Sequence, residues 1–164
     1  MSRTLVVMRH AKSSWKTNDS DLRRPLSRRG SRDAVVAGNE LAGTRFDVVL
    51  CSPAARVAQT WELLSMSRVS AAEVRVEDAI YHGGTDAILD LLRALPADAA
   101  RVLVIGHEPT VSDLVLELAG PSTLRRRIEQ KFPTCAMAVL THTAPWSELG
   151  EGSATLAAFE VPRG

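Results

Sequence analysis

Leu5-Val6-Val7-Met8-Arg9-His10-Ala11-Lys12-Ser13 is the stretch on which the reading of this chain turns. A short apolar run goes straight into an arginine–histidine pair. Short Val-rich runs bounded by polar residues read as buried strands. In open α/β sheets, ligands bind beyond the carboxyl ends of the strands. Arg9 and His10 therefore stand where such a fold does its chemistry. A guanidinium presents a fixed fork of donors to phosphate, and a neutral imidazole is a nucleophile. A surface Arg–His pair at a strand end accounts for this stretch equally well when it is taken alone.

Two further segments separate these readings. Leu103-Val104-Ile105-Gly106-His107-Glu108-Pro109 repeats the design, and Val111, Leu114, Val115 and Leu118 then mark a helix face. Pro favours the first helical turn, so His107 is expected at or just before a helix N-terminus, a place that suits an anion. Phe46-Asp47-Val48-Val49-Leu50-Cys51 reads as another strand. Ser52 follows as an expected N-cap, with Pro53 at the first helical position. That puts Arg56 in the first turn, where the helix dipole adds to its own charge. Three strand ends thus offer Arg9, His10, Arg56 and His107.

Arg9-His10-Ala11-x-Ser13, Ser52-Pro53-x-x-Arg56-x-x-Gln59-Thr60 and Gly106-His107 resemble the motifs of the histidine phosphatase superfamily, whose fold is that of phosphoglycerate mutase. The resemblance runs from Thr4 to about Val139. Chain length, Arg24-Pro25-Leu26-Ser27-x-x-Gly30 and Lys131-Phe132-Pro133-Thr134 resemble its short branch, the SixA-type phosphohistidine phosphatases. The resemblance implies that His10 is the phosphorylated nucleophile and that Arg9, Arg56 and His107 bind the phosphoryl group. Ser13, Lys16, Arg24 and His82 are expected on the substrate side.

The chain departs from the family pattern at named positions. Ala11 stands where the family usually has glycine, a tolerable change if the backbone there is not in a glycine-only conformation. Lys16 occupies the place of a phosphate-touching asparagine in longer relatives. Between Glu77 and Gly83 no carboxylate falls in register with the mutase-like glutamate acid, which leaves His82, Asp86, Glu108 or bulk water as the proton source. Other templates fail. Cys51 and Arg56 are too close in sequence for the cysteine-dependent phosphatase loop, and Gly106-His107-Glu108 lacks the serine of a nucleophile elbow. His10, His82, His107 and His142 show no metal-ligand spacing, so no metal and no cofactor are expected.

At 164 residues, 45% hydrophobic and 24% charged, the chain has the makeup of one ordinary globular domain spanning residues 1–164. The apolar run at the N-terminus is too short for a signal-peptide core, and no stretch reaches a transmembrane span. Cys51 and Cys135 lie in apolar runs, as buried thiols rather than a disulfide. The expected compartment is the cytoplasm, with no membrane partner. A net charge of +1 argues against general nucleic-acid binding. Residues 1–32 nevertheless hold nine Lys and Arg against Asp19 and Asp21, so they carry +7 and the remainder −6. An electrostatic funnel for an anionic substrate and a merely solvated basic face are both open readings of that segment. Arg125, Arg126 and Arg127 read as a solvated face near a helix end.

Strands and helices alternate, the pattern of a three-layer α/β/α domain with a mostly parallel sheet. Strands are expected at 4–9, 46–51, 74–76, 101–106, 136–141 and 155–161. Helices are expected at 28–42, 53–66, 86–95 (capped by Thr85) and 110–119, with loop between 77 and 85. Trp61 reads as core, and Trp15 as a residue of the pocket wall. The expected function is a metal-independent phosphatase acting through phospho-His10 on a phosphorylated protein, phosphohistidine foremost. A small phosphorylated substrate such as a sugar or nucleotide phosphate is the alternative. A non-catalytic phosphate-binding module is a third reading, which the joint presence of both histidines and both arginines disfavours.

Overall fold

The first strand lies inside the sheet. In the computed structural model, which describes residues 1–164, β1 (Arg3–Arg9) is flanked by β4 (Arg101–Gly106) and β5 (Met137–His142). With β2 (Arg45–Cys51), β3 (Ser70–Val76) and β6 (Thr155–Glu160) they form a six-stranded sheet of order β3-β2-β4-β1-β5-β6. The pairs from β3 to β1 are parallel, and those joining β1, β5 and β6 are antiparallel.

Successive strand residues point to opposite faces. Leu5, Val7, Val102 and Val104 enter one apolar cluster, while Val6, Met8, Leu103 and Ile105 enter another. Both faces of β1 and β4 are therefore buried, which is why they read as unbroken apolar runs. The first cluster is completed by Ile88, Leu89 and Leu92 of α4 (Thr85–Arg93), Leu114 and Leu118 of α5 (Thr110–Leu118) and Ile128 of α6 (Thr123–Gln130). The second is completed by Ala34 and Ala37 of α1 (Arg28–Glu40) and Val57 and Leu64 of α2 (Ala55–Ser65). Helices on both faces give the expected three layers. No helix is long and apolar enough to cross a membrane.

Several local expectations need correction. α2 begins at Ala55, not Pro53, because Ser52 Oγ accepts the Ala54 N–H (3.2 Å) and closes a turn ahead of the helix. β3 starts at Ser70 rather than Val74; it is an edge strand whose Ser70, Glu73 and Val76 are exposed, so no apolar run marks it. α4 starts at Thr85 after Gly84, without a side-chain cap, and a further helix, α3 (Asp78–His82), lies in the expected loop. α6 was not expected as a separate helix, and Ser122 caps it by accepting the Arg125 N–H (3.1 Å). Arg125 is only partly solvated. Its guanidinium donates to the carbonyls of Leu116 and Ala119, the unpaired acceptors at the end of α5.

Register brings the strand ends level. Arg9 pairs with Gly106 across β1 and β4, and Cys51 with Ile105 across β2 and β4. His10 N–H donates to Gly106 O (3.1 Å) and Ser52 N–H to Ile105 O (3.3 Å), so His10, Ser52 and His107 leave the sheet side by side. The chain after His10 folds back on itself. Ser14 N–H donates to Pro25 O (2.8 Å) and Ser27 N–H to Lys12 O (2.9 Å), with a 3-10 turn at Asp21–Arg23 between them.

Candidate active site

His10 and its neighbours are held from several elements. Thr60 of α2 accepts the Ala11 N–H (3.1 Å) while its hydroxyl donates to Arg56 O (2.7 Å). Gln59 accepts the Leu26 N–H (2.8 Å), which ties the returning loop to the same helix. On the other side, Cys135 N–H donates to His10 O (3.0 Å) and Arg9 donates to Phe132 O (3.0 Å). Ala11 is buried and has no positive φ, so it meets the condition for replacing glycine.

The imidazoles are assigned by their partners. His10 Nδ1 lies 2.7 Å from Ala11 O, and a carbonyl only accepts, so Nδ1 carries the proton and Nε2 keeps its lone pair. Burial pushes the His10 pKa down to about 3, against the Ala11 hydrogen bond; His107 and the Arg56 and Arg9 charges add to the depression. His10 is a neutral base at neutral pH. His107 Nδ1 is 3.4 Å from an Arg56 nitrogen that can only donate, so Nε2 carries the proton and donates to Ser52 Oγ (2.7 Å). Burial, then the Arg56 charge, lowers its pKa to about 4. The two rings are 5.3 Å apart between centroids.

Around them opens a cavity of about 510 Å³ lined by Arg9, His10, Ser13, Arg24, Arg56 and His107, among others. The Nε–H groups of Arg9, Arg24 and Arg56 are buried without a hydrogen-bond partner. Unpaired buried donors are costly. Three guanidiniums around one cavity suit a group with several anionic oxygens.

The cavity also holds two carboxylates. Asp21 Oδ1 accepts from Arg24 (3.0 Å), and Oδ2 from Arg56 (3.2 Å) and Tyr81 Oη (2.6 Å). Tyr81 and Arg24 foremost, then Arg56, hold this carboxyl well below the usual carboxylate range, while Asp21 raises the Tyr81 pKa in return. Glu108 accepts from the Ser112 N–H and hydroxyl, 2.9 Å each. The Asp21 carboxylate, held ionised by these donors, is an acceptor and not a proton donor.

The structure brings together Arg9, His10, Ser13, Arg24, Arg56 and His107, with Glu108 beside them. It does not bring in His82, Asp86 or Lys16. His82 is exposed, stacked edge-on against Tyr81 (4.9 Å), and Asp86 is exposed on α4. Lys16 lines a neighbouring groove instead. Trp15 lines the cavity wall, with the Arg24 guanidinium 3.7 Å from its ring centroid. Sequence reasoning missed Asp21, Tyr81 and the positioning role of Thr60. Asp21 left one signal, a lone acid three residues before Arg24 in a basic segment. Tyr81 left none, because its place depends on α3. Cys51 and Cys135 are buried free thiols whose pKa burial pushes up to about 12, so neither supplies a thiolate. No three His, Cys, Asp or Glu side chains gather as a set that would hold a metal ion.

A cavity of imidazoles and guanidiniums, with Asp21 and Glu108 among them, lies at the carboxyl end of a mostly parallel sheet in an α/β fold. The model of the histidine phosphatase superfamily, branch 1, matches residues 5–81. The chain is 33% identical over 142 residues to the phosphohistidine phosphatase SixA of Escherichia coli, covering 84% of each. It is 36% identical over 162 residues to an uncharacterized protein of Mycobacterium tuberculosis, covering 95% of this chain and all of that one. A solved structure of the protein histidine phosphatase SixA complexed with tungstate superposes with a TM-score of 0.80 at 29% identity, covering 97% of both chains. The chain belongs to the histidine phosphatase superfamily, branch 1.

Proposed function

We propose that this protein is a phosphatase that hydrolyses phosphohistidine on proteins, with His10 as the transient phosphoryl acceptor. The observation that carries the reading is the pairing of a free His10 Nε2 lone pair with a cavity whose carboxylates are both engaged as acceptors. The tungstate bound by the related SixA is a tetrahedral oxyanion, which supports the same use of this cavity.

In the first step, His10 Nε2 attacks phosphorus in line and the bond from phosphorus to the substrate nitrogen breaks. The electron pair returns to that nitrogen, and the substrate ring, protonated on its other nitrogen, leaves as neutral imidazole. In the second step, water attacks phospho-His10, releasing inorganic phosphate and the neutral imidazole. Arg9, Arg24 and Arg56 meet the charge spread over the phosphoryl oxygens, the usual largest source of stabilisation in phosphoryl transfer.

The leaving group decides the substrate class. An alkoxide needs a proton in the transition state, and general acid help contributes roughly 10²–10⁴-fold. An imidazole protonated on its other ring nitrogen leaves with little help, and Asp21 offers none. The test is kcat/KM across a phosphohistidine peptide, aryl phosphates and alkyl phosphates. We expect a steep decline towards the alkyl phosphates. A sugar phosphate as good as phosphohistidine would contradict the reading, and tight binding of all of them without turnover would favour a phosphate-binding module.

A further inference from the structure

The phosphate cavity uses only part of the basic segment that follows His10. Lys16, Arg28 and Arg29 lie outside it and line a second groove of about 630 Å³, which shares Lys12, Ser13 and Trp15 with the cavity. Lys12, Lys16, Arg28 and Arg29 thus surround this groove, and no carboxylate lines it. In a chain of net charge +1, that is strong local segregation.

The groove is also firmly built. Its floor is the backbone pairing of Ser13 with Leu26, flanked by the Ser14–Pro25 and Ser27–Lys12 hydrogen bonds. The start of α1 is pressed against that floor: a Cβ on Gly30 would stand 2.0 Å from Lys12 O. Trp15, 74% exposed, stands at the boundary between groove and cavity, braced by Arg24. Exposed aromatics beside a charged rim are the usual anchors of protein interfaces.

We propose that this groove docks the protein that carries the phosphohistidine, through an acidic segment next to the phosphorylated residue. The proposal rests on the phosphohistidine phosphatase reading above and adds a partner chemistry to it. With the phosphoimidazole in the cavity, the flanking chain passes Trp15 into the groove, where its carboxylates meet Lys12, Lys16, Arg28 and Arg29. Small phosphorylated compounds end inside the cavity and do not feel the groove.

The test uses two phosphohistidine peptides, one flanked by Asp and Glu and one by Asn and Gln, with an aryl phosphate as the small substrate. The variant is Arg28→Glu/Arg29→Gln. Glu in the first turn of α1 complements the helix dipole, and Asp33 keeps Arg163 (3.5 Å), so the fold is retained. We expect wild type to favour the acidic peptide roughly tenfold in kcat/KM, through KM, and the variant to lose that preference. The preference should shrink as added salt shortens the screening length. Aryl phosphate turnover should be unchanged, and Arg126→Glu, an exposed control charge on α6, should change nothing.

Equal use of both peptides by wild type would overturn the proposal. So would an equal loss on the aryl phosphate, or the same loss in Arg126→Glu. If wild type turned over no substrate, the phosphatase reading would fall by itself. Anisotropy of the labelled, unphosphorylated acidic peptide would then judge the groove alone: roughly tenfold weaker binding in the variant supports it, and unchanged binding refutes it.

Discussion

The proposed nucleophile, His10, owes its free lone pair to what its other nitrogen does. Donation from Nδ1 to Ala11 O fixes the tautomer, and burial keeps the ring neutral. The pH dependence follows in sign. The pKa is near 6.5 in the unfolded chain and about 3 in the folded one, so the unfolded chain binds the proton first as pH falls. The His10 contribution to stability is intact above about pH 6.5 and is lost as pH falls towards about 3. His10 should add no limb to kcat/KM between about pH 5 and 8 beyond the titration of the substrate phosphoryl group at about pH 6. An acid limb with an apparent pKa of about 6.5 that stays put when the substrate pKa is changed would show that His10 is solvated. Asp21 makes a second residue-scale prediction. Its carboxylate occupies Arg24 and Arg56, the donors a phosphoryl group needs. Asp21→Asn should therefore tighten inhibition by tungstate or inorganic phosphate about fivefold, a modest figure because the carboxylate is half exposed. Weaker inhibition would mean that Asp21 acts by orienting the arginines rather than by competing with the anion.

At the scale of elements, the site is three strand ends and one helix clamped onto them. The ends of β1, β4 and β2 were legible because their residues are buried on both faces and their chemistry follows the last apolar residue at once. The Ser52-to-Thr60 motif was legible as a pattern but not as a mechanism. Only the fold shows that Thr60 and Gln59 are the clamps on Ala11 and Leu26. α3 was not legible, because five residues give no helical period and Ile80 is its one buried side chain. Tyr81 stayed hidden with it. The expected roles for His82 and Lys16 rested on sequence proximity to motifs, and the turns between carry both side chains outwards. Gly30 tests the packing of α1 on the loop. Since the Lys12 backbone would collide with an added methyl, Gly30→Ala should cost about 1–3 kcal/mol. Thermal unfolding should show it as a Tm lower by several degrees. An unchanged Tm would mean that α1 stands off the loop.

At the scale of the whole molecule, a sheet buried by two apolar clusters carries a chemical edge of mostly cationic and neutral groups. The charge asymmetry was legible from the sequence alone, since the first 32 residues hold +7. Its division between a phosphate cavity and a separate groove was not, because it depends on the loop folding back at Asp21–Arg23. The central claim is that phosphorus passes through His10. Rapid quenching with labelled phosphohistidine peptide tests it most directly, followed by mapping of the label and comparison with His10→Ala. In wild type the expected product is an acid-labile, base-stable phosphoenzyme with the label on His10. In His10→Ala, with its fold intact, no label and no turnover are expected. Label on a serine or cysteine, or normal turnover by His10→Ala, would contradict it.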